Sequence, residues 1–226
     1  MTGARPRRVV LVGGTGTEVG KTWVAARLLE TWRAQGLTVA ARKPAQSFAP
    51  GSGPTDAQVL GLASEEPPEV VCRPERSYPV ALAPPMAARL LGRRPVLVDE
   101  LAHELCWPDD AIDVGLVESA GGLRSPQADD GDTLDLAARL GADVLLVVAD
   151  AGLGTISAVR LCADSLERRG WAGVVVLNHY DEADPLHVAN LDWLRRVDGL
   201  DVWPAAKATW EHLATRLAAH PGAPRS

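Results

Sequence analysis

Short runs of valine and leucine with no polar alternation punctuate the chain: VVLVGG from Val9, VGLVES from Val114, DVLLVVAD from Asp143 and GVVVLNH from Gly173. Apolar runs of this length with no wetted face predict strands buried on both sides, the pattern of a parallel sheet covered by helices. LTVAARKPA from Leu37 is a fifth candidate and LDVWP from Leu200 a weaker sixth. Between the runs the period lengthens to that of a helix. KTWVAARLLETWRAQG sets Val24, Leu28, Trp32 and Gln35 on one stripe and stops at Gly36, a natural helix end. Further helices are predicted over 56–63, 84–91, 133–140, 155–169, 187–196 and 209–219. Strand then helix, repeated, predicts a doubly wound α/β fold, a mostly parallel sheet with helices on both faces. The expectation is a single domain over 1–226 with a tail that frays from about 220. Ligands of such sheets bind outside the carboxyl ends of the strands, so the loops that follow the strands are where chemistry is sought.

Composition narrows the function more than the fold. With 46% hydrophobic and 23% charged residues the chain has an ordinary globular balance. Its length allows a core burying about 70% of the unfolded surface, so no metal or disulfide scaffold is required. A net charge of -6 argues against general binding to nucleic acid or an anionic membrane and favours small-molecule work. Cys72, Cys106 and Cys162 lack C-x-x-C spacing, which indicates neither a zinc site nor a disulfide framework and suits a reducing cytoplasm. MTGARPRRVV is too short in its apolar part for a signal peptide, and no apolar stretch reaches the ~18 residues of a membrane span. The chain is therefore expected to be cytoplasmic. The tryptophans at 23, 32, 171, 193, 203 and 210 read mostly as core, and the scattered histidines, His179 among them, as surface or loop residues.

Candidate chemistry sits first in the loop after the first strand. The pattern G-x-x-x-x-G-K-[ST], anchored on Gly20, Lys21 and Thr22, requires glycine at position 15, where Thr15 stands; the glycines fall at 14 and 16. The context nonetheless suits a phosphate loop, because exposed amides and the dipole of the helix that follows cradle oxyanions. Lys21 would span terminal phosphates and Thr22 ligate magnesium. Glu118, at a strand end before a small-residue turn, is a second magnesium ligand in this reading. Lys43 ends the second strand, where Pro44 forces the chain off the sheet, and would face the same site. Asp56 could reach it too, although alone it reads as the first-turn acid of its helix. The Gly/Pro-rich segment SFAPGSGPTD (47–56) reads as a mobile surface connection.

In order, GTGTEVGKT (14–22), KPAQS (43–47), TDA (55–57), VESAGG (117–122), DAGLGTIS (150–157) and Asn178 after an apolar strand resemble the dethiobiotin synthetase family over nearly the whole chain. The extra residue in the phosphate loop is that family's own spacing. The resemblance implies a P-loop NTPase-like fold and an ATP- and magnesium-dependent cyclo-ligase of biotin biosynthesis. It would close the ureido ring of dethiobiotin from 7,8-diaminopelargonate and CO2 through a carbamic-phosphoric anhydride. It also implies Lys43 and Lys21 as catalytic residues, and Thr17, Glu18, Val19, Gly20, Lys21, Thr22, Asp56, Glu118, Asn178 and Pro204 around ATP, with Asn178 reading the purine and His179, next in sequence, within reach of the base. Thr22, Asp56 and Glu118 would hold Mg2+. Ser47 would touch the diamine, and Gly152, Leu153 and Gly154 would receive its carboxylate across a homodimer interface. The substrate side departs from the family at Phe48, Ser119, Ser157, Ala158 and in Pro84, Pro85 and Met86. An amidating ligase with another acceptor therefore stays open, as does a non-enzymatic nucleotide switch, although the switch's signature lysine is replaced by Gly16.

Overall fold

The computed structural model describes residues 3–219, and the tail expected to fray lies outside them. Along these residues the chain forms β1 (Arg8–Gly14), α1 (Lys21–Ala34), β2 (Val39–Arg42), β3 (Gln46–Ser47), α2 (Asp56–Ser64), α3 (Pro68–Val71), β4 (Ser77–Tyr78), α4 (Pro84–Leu90) and α5 (Val98–Glu104). It continues with β5 (Val114–Glu118), β6 (Pro126–Ala128), β7 (Gly131–Asp132), α6 (Thr133–Leu140), β8 (Val144–Asp150), α7 (Thr155–Glu167), β9 (Gly173–Asn178), α8 (Pro185–Arg196), β10 (Asp201–Pro204) and α9 (Trp210–Ala218).

The longer strands make one wholly parallel sheet in the order β10-β9-β8-β1-β5-β2. The missing polar alternation now has its cause. Val10, Val12, Leu146, Val148 and Val176 face α1, α2 and α9, where they pack with Leu28, Trp32, Leu60 and Leu213. Their neighbours Val9, Leu11, Leu145, Val147 and Val175 face the other way, onto Leu101, Leu134, Val159 and Leu194 of α5 to α8. Both faces are covered, so both registers must be apolar. Trp32 ties two helices together, its indole N–H donating to the Ala214 carbonyl at 2.8 Å.

The weak sixth candidate is a true edge strand, paired from Asp201↔Val174 to Pro204↔Leu177. Predicted helix starts at 56, 84, 133 and 155 coincide with those observed. Two of these are marked locally: Thr55 caps α2 with Gln58 reaching back, and Asp132 caps α6 with Asp135 doing the same. Helices α3 and α5 were not legible, being short and without a sustained apolar stripe. Trp23 and Trp193 depart from the core reading, at 48% and 45% exposed. Each lies along the surface, Trp23 edge-on to Trp210 and Trp193 beneath the Arg160 guanidinium. No helix among the described residues is long and apolar enough to cross a membrane.

Candidate active site

The crevice lies where the strand order reverses around β1, flanked by β5 and β8. The loop leaving β1 is anchored on both sides, by the Thr15 amide on the Val148 carbonyl at 2.9 Å and by the Leu123 amide on the Gly14 carbonyl at 2.7 Å. Gly20 closes it in the left-handed region at φ 83 and begins α1 with no side-chain cap, leaving the first amides of the helix available to an anion. Glu18 is also left-handed, at φ 62. Lys21 curls back to donate to the Gly16 carbonyl at 3.1 Å, and burial holds its ammonium below the ordinary lysine range.

Four polar side chains from separate elements meet beside this loop. Lys43 Nζ lies 2.6 Å from Glu118 Oε1 and 2.7 Å from Asp56 Oδ2, with the Ser119 carbonyl at 3.3 Å. Burial alone would favour the neutral amine, but the two carboxylates and their hydrogen bonds outweigh it and hold Lys43 protonated above its usual range. The Glu118 pKa is raised as well, because desolvation exceeds the pull of Lys43. Asp56 is also opposed by desolvation, yet Lys43 and the Thr22 hydroxyl hold its pKa below the usual aspartate range. Arg42, one residue earlier, turns to the other side of β2, where it pairs with Glu66 at 2.7 Å and lies over the Trp107 ring; it is a structural cation that takes no part in the cavity.

The Thr22 hydroxyl lies 2.9 Å from both Asp56 Oδ1 and Glu118 Oε1. It has one proton for two carboxylates, and Glu118 Oε2 is buried without a partner. Hard oxygen donors with one atom unsatisfied are what magnesium takes, and two carboxylates with a hydroxyl leave room for water and phosphate oxygens in its octahedron. The donor set fits that ion, while no group of three His, Cys, Asp or Glu among the described residues could hold a metal unaided.

A cavity of about 690 Å³ opens over this cluster. Thr17, Glu18, Gly20, Lys21, Thr22, Lys43, Ser47, Asp56 and Glu118 all line it. The segment 47–56, read as a mobile surface connection, is one of its walls: Phe48, Ala49, Ser52 and Pro54 face the space. Pro84, one of the departures on the substrate side, also lines it; Gln46, Ala81, Leu82 and Ala83 do so too and were missed as site residues, since Gln46 gains its place through contacts with Ala57 and Ser77 that no local pattern announces. The remaining expectations fall elsewhere. Val19 offers its carbonyl to Asn178 Nδ2 at 3.1 Å behind the loop. Pro204 ends β10, and Gly152, Leu153 and Gly154 precede α7 away from the cavity wall, with Leu153 92% exposed.

The depressed Asp56 pKa has a consequence for stability. A carboxylate whose pKa falls on folding stabilises the native state fully above its unfolded value and loses that contribution as pH falls through the lower folded value. Asp56→Asn should therefore be less stable than the parent at neutral pH, with the gap closing below the ordinary aspartate range. Urea unfolding of both proteins from pH 7 to pH 3 measures it; a constant gap would show that the ionised carboxylate contributes nothing.

A glycine-rich loop between strand and helix, with lysine and threonine on that helix's first turn at the carboxyl edge of a parallel sheet, defines a P-loop nucleotide-binding α/β protein. Solved structures agree on the fold: a chain from Borrelia burgdorferi B31 described as a plasmid partition protein superposes with a TM-score of 0.56 at 11% identity, covering 91% of this chain and 90% of that one. Chloroplast FtsY from Physcomitrella patens gives 0.51 at 12% identity over 93% of this chain, which spans 62% of its length. The AAA domain family model matches residues 8–203. ATP-dependent dethiobiotin synthetase BioD of Anaeromyxobacter sp. (strain K) is 41% identical over 210 residues, 90% of this chain and 91% of that protein, and its namesake in Rhodococcus jostii is 38% identical over 211 residues, 92% and 89%. The chain belongs to the ATP-dependent dethiobiotin synthetase family and is an ATP-dependent ligase of biotin biosynthesis.

Proposed function

We propose that the chain closes the ureido ring of dethiobiotin from 7,8-diaminopelargonate and CO2. One amine adds to CO2 and loses a proton, giving a carbamate. A carbamate oxygen attacks the γ-phosphorus of ATP and ADP departs, leaving a carbamic-phosphoric anhydride. The second amine then attacks its carbonyl carbon, phosphate leaves, the attacking nitrogen gives up a proton, and the cyclic urea remains. Little covalent work falls to the protein, which positions the reactants and neutralises their charge.

The observation that carries this reading is the buried ammonium of Lys43, held between Glu118 and Asp56 on the cavity wall beside the phosphate loop. In this reading Lys43 and Lys21 stabilise charge on the carbamate and the transferred phosphoryl group. Thr22, Asp56 and Glu118 hold Mg2+, which offsets phosphate charge when bound. Thr17, Glu18, Val19 and Gly20 surround the phosphates, while Asn178 and Pro204 lie toward the base and Ser47 contacts the diamine. The protein acts as a single domain and a cytoplasmic homodimer. Free cysteines at 72, 106 and 162 support a reducing compartment; burial pushes the Cys72 thiol up to about 12 and Cys162 to about 11, which disfavours the reactive thiolate at both. Leu153, exposed ahead of α7, supports the homodimer, since a second copy would cover it and bring Gly152 and Gly154 to the substrate carboxylate.

Phe48 on the cavity wall favours a second reading, in which the same ATP chemistry serves a different acceptor. The purified protein with ATP, magnesium, bicarbonate and 7,8-diaminopelargonate should release ADP and form the cyclic urea together, followed by mass spectrometry. ADP release indifferent to the diamine, or no cyclic product, would reject the proposed acceptor.

A further inference from the structure

We infer that His179 is a positioning residue that orders the amide of Asn178 and thereby selects adenine; the inference rests on the proposed reading of Asn178 as the residue facing the base. Neighbouring side chains in a strand point to opposite faces, but His179 follows the last residue of β9 with a left-handed backbone, φ 53. That turn brings its ring back onto its neighbour, with Nε2 3.2 Å from Asn178 Nδ2.

The proton positions follow from one end of a chain of contacts. The Val19 carbonyl, 3.1 Å from the Asn178 amide, can only accept, so the atom facing it is the nitrogen. The same nitrogen faces His179 Nε2, which must therefore be the bare, accepting ring nitrogen. The ring proton of the neutral imidazole then sits on Nδ1, where Asp150 Oδ2 accepts it at 2.8 Å. The other Asp150 oxygen, Oδ1, accepts from the Gly152 amide at 2.7 Å. From Gly152 to the phosphate loop the donors and acceptors alternate without conflict, and the opposite imidazole tautomer would set an N–H against the Asn178 amide.

The consequence concerns the atom left over. Both amide protons of Asn178 are engaged, so Oδ1 is what the residue can offer a base, and it can only accept. Adenine carries a donating amino group at the position where guanine carries an accepting oxygen. An asparagine free to turn over would serve either base; one held by both Val19 and His179 serves adenine. Asn178 is itself 2% exposed and packed against Gly20, so Val19 and His179 set its orientation together.

Two measurements test this. In the full chain labelled with 15N-histidine, without nucleotide, the ring shifts of His179 should report a protonated Nδ1 and a bare Nε2, the signal being assigned by its absence from His179→Gln; an Nε2–H tautomer would overturn the inference whatever the enzyme's substrate. In turnover, His179→Ala should lower the ATP-over-GTP ratio of kcat/KM about tenfold, the size of one well-formed hydrogen bond, with the loss appearing in the KM for ATP. Asn178→Ala with the parent's ATP preference would overturn the reading of Asn178. Relaxed preference in Asn178→Ala beside the parent's preference in His179→Ala would overturn the role of His179 alone.

Discussion

Lys43→Ala is expected to lower turnover by about a hundredfold to a thousandfold, the usual loss when a preorganised donor to developing charge is removed, while ATP still binds. The expectation rests on the position of the ammonium. It ends in the cavity rather than in solvent, 2.6 Å from Glu118 and 2.7 Å from Asp56, and the phosphate-loop contacts of Lys21 and Gly20 do not depend on it. Removing one member of a buried ion pair can cost about 3–5 kcal/mol of stability. Here the loss should be smaller, because burial already raises the pKa of Glu118 and the orphaned carboxylate can take a proton. Single-turnover ADP formation beside calorimetric ATP binding separates the two effects. Turnover at the parent level would refute the assignment of Lys43, and loss of binding with turnover would reduce it to a scaffold residue.

Gly20→Ala is expected to weaken ATP binding at least about a hundredfold, from two faults that act together. A left-handed backbone costs a residue with a Cβ about 1–2 kcal/mol, and at φ 83 Gly20 stands in that region. The added Cβ would also meet Asn178 Nδ2 at 2.0 Å, so either the loop or the asparagine must move. Gly36→Ala isolates the first fault: it too is left-handed, at φ 80, but nothing lies within 4 Å of its Cβ. Isothermal titration with ATP should find Gly36→Ala close to the parent and Gly20→Ala without measurable binding. Equal affinity in Gly20→Ala would mean that the fit between Asn178 and the loop has no part in holding the nucleotide.

Much of the fold was legible because its signals are local. The strands are apolar runs since each is buried on both faces, and α2 and α6 carry their starts in residues three apart, Thr55 with Gln58 and Asp132 with Asp135. The phosphate loop was legible for the same reason: strand, turn, lysine and threonine are contiguous. Exposure of Trp23 and Trp193 was not, because an aromatic on a helix can pack inward or lie along the surface, and the choice depends on distant partners such as Trp210 and Arg160.

The sequence by itself determined the strand–helix alternation, the phosphate loop and, through the order of its motifs, the family. Tertiary structure alone decided which side chains meet. Asp56 was ambiguous between a first-turn acid and a partner of the site, and it is both, opening α2 while holding Lys43 and Thr22. Segment 47–56 became a wall because it folds over the cavity. Thr22 and Glu118 are 96 positions apart and Lys43 and Glu118 are 75, and they touch because β5 inserts between β1 and β2. That insertion is a property of sheet order, settled by the simultaneous burial of every strand, and no stretch of chain short enough to show a pattern contains it.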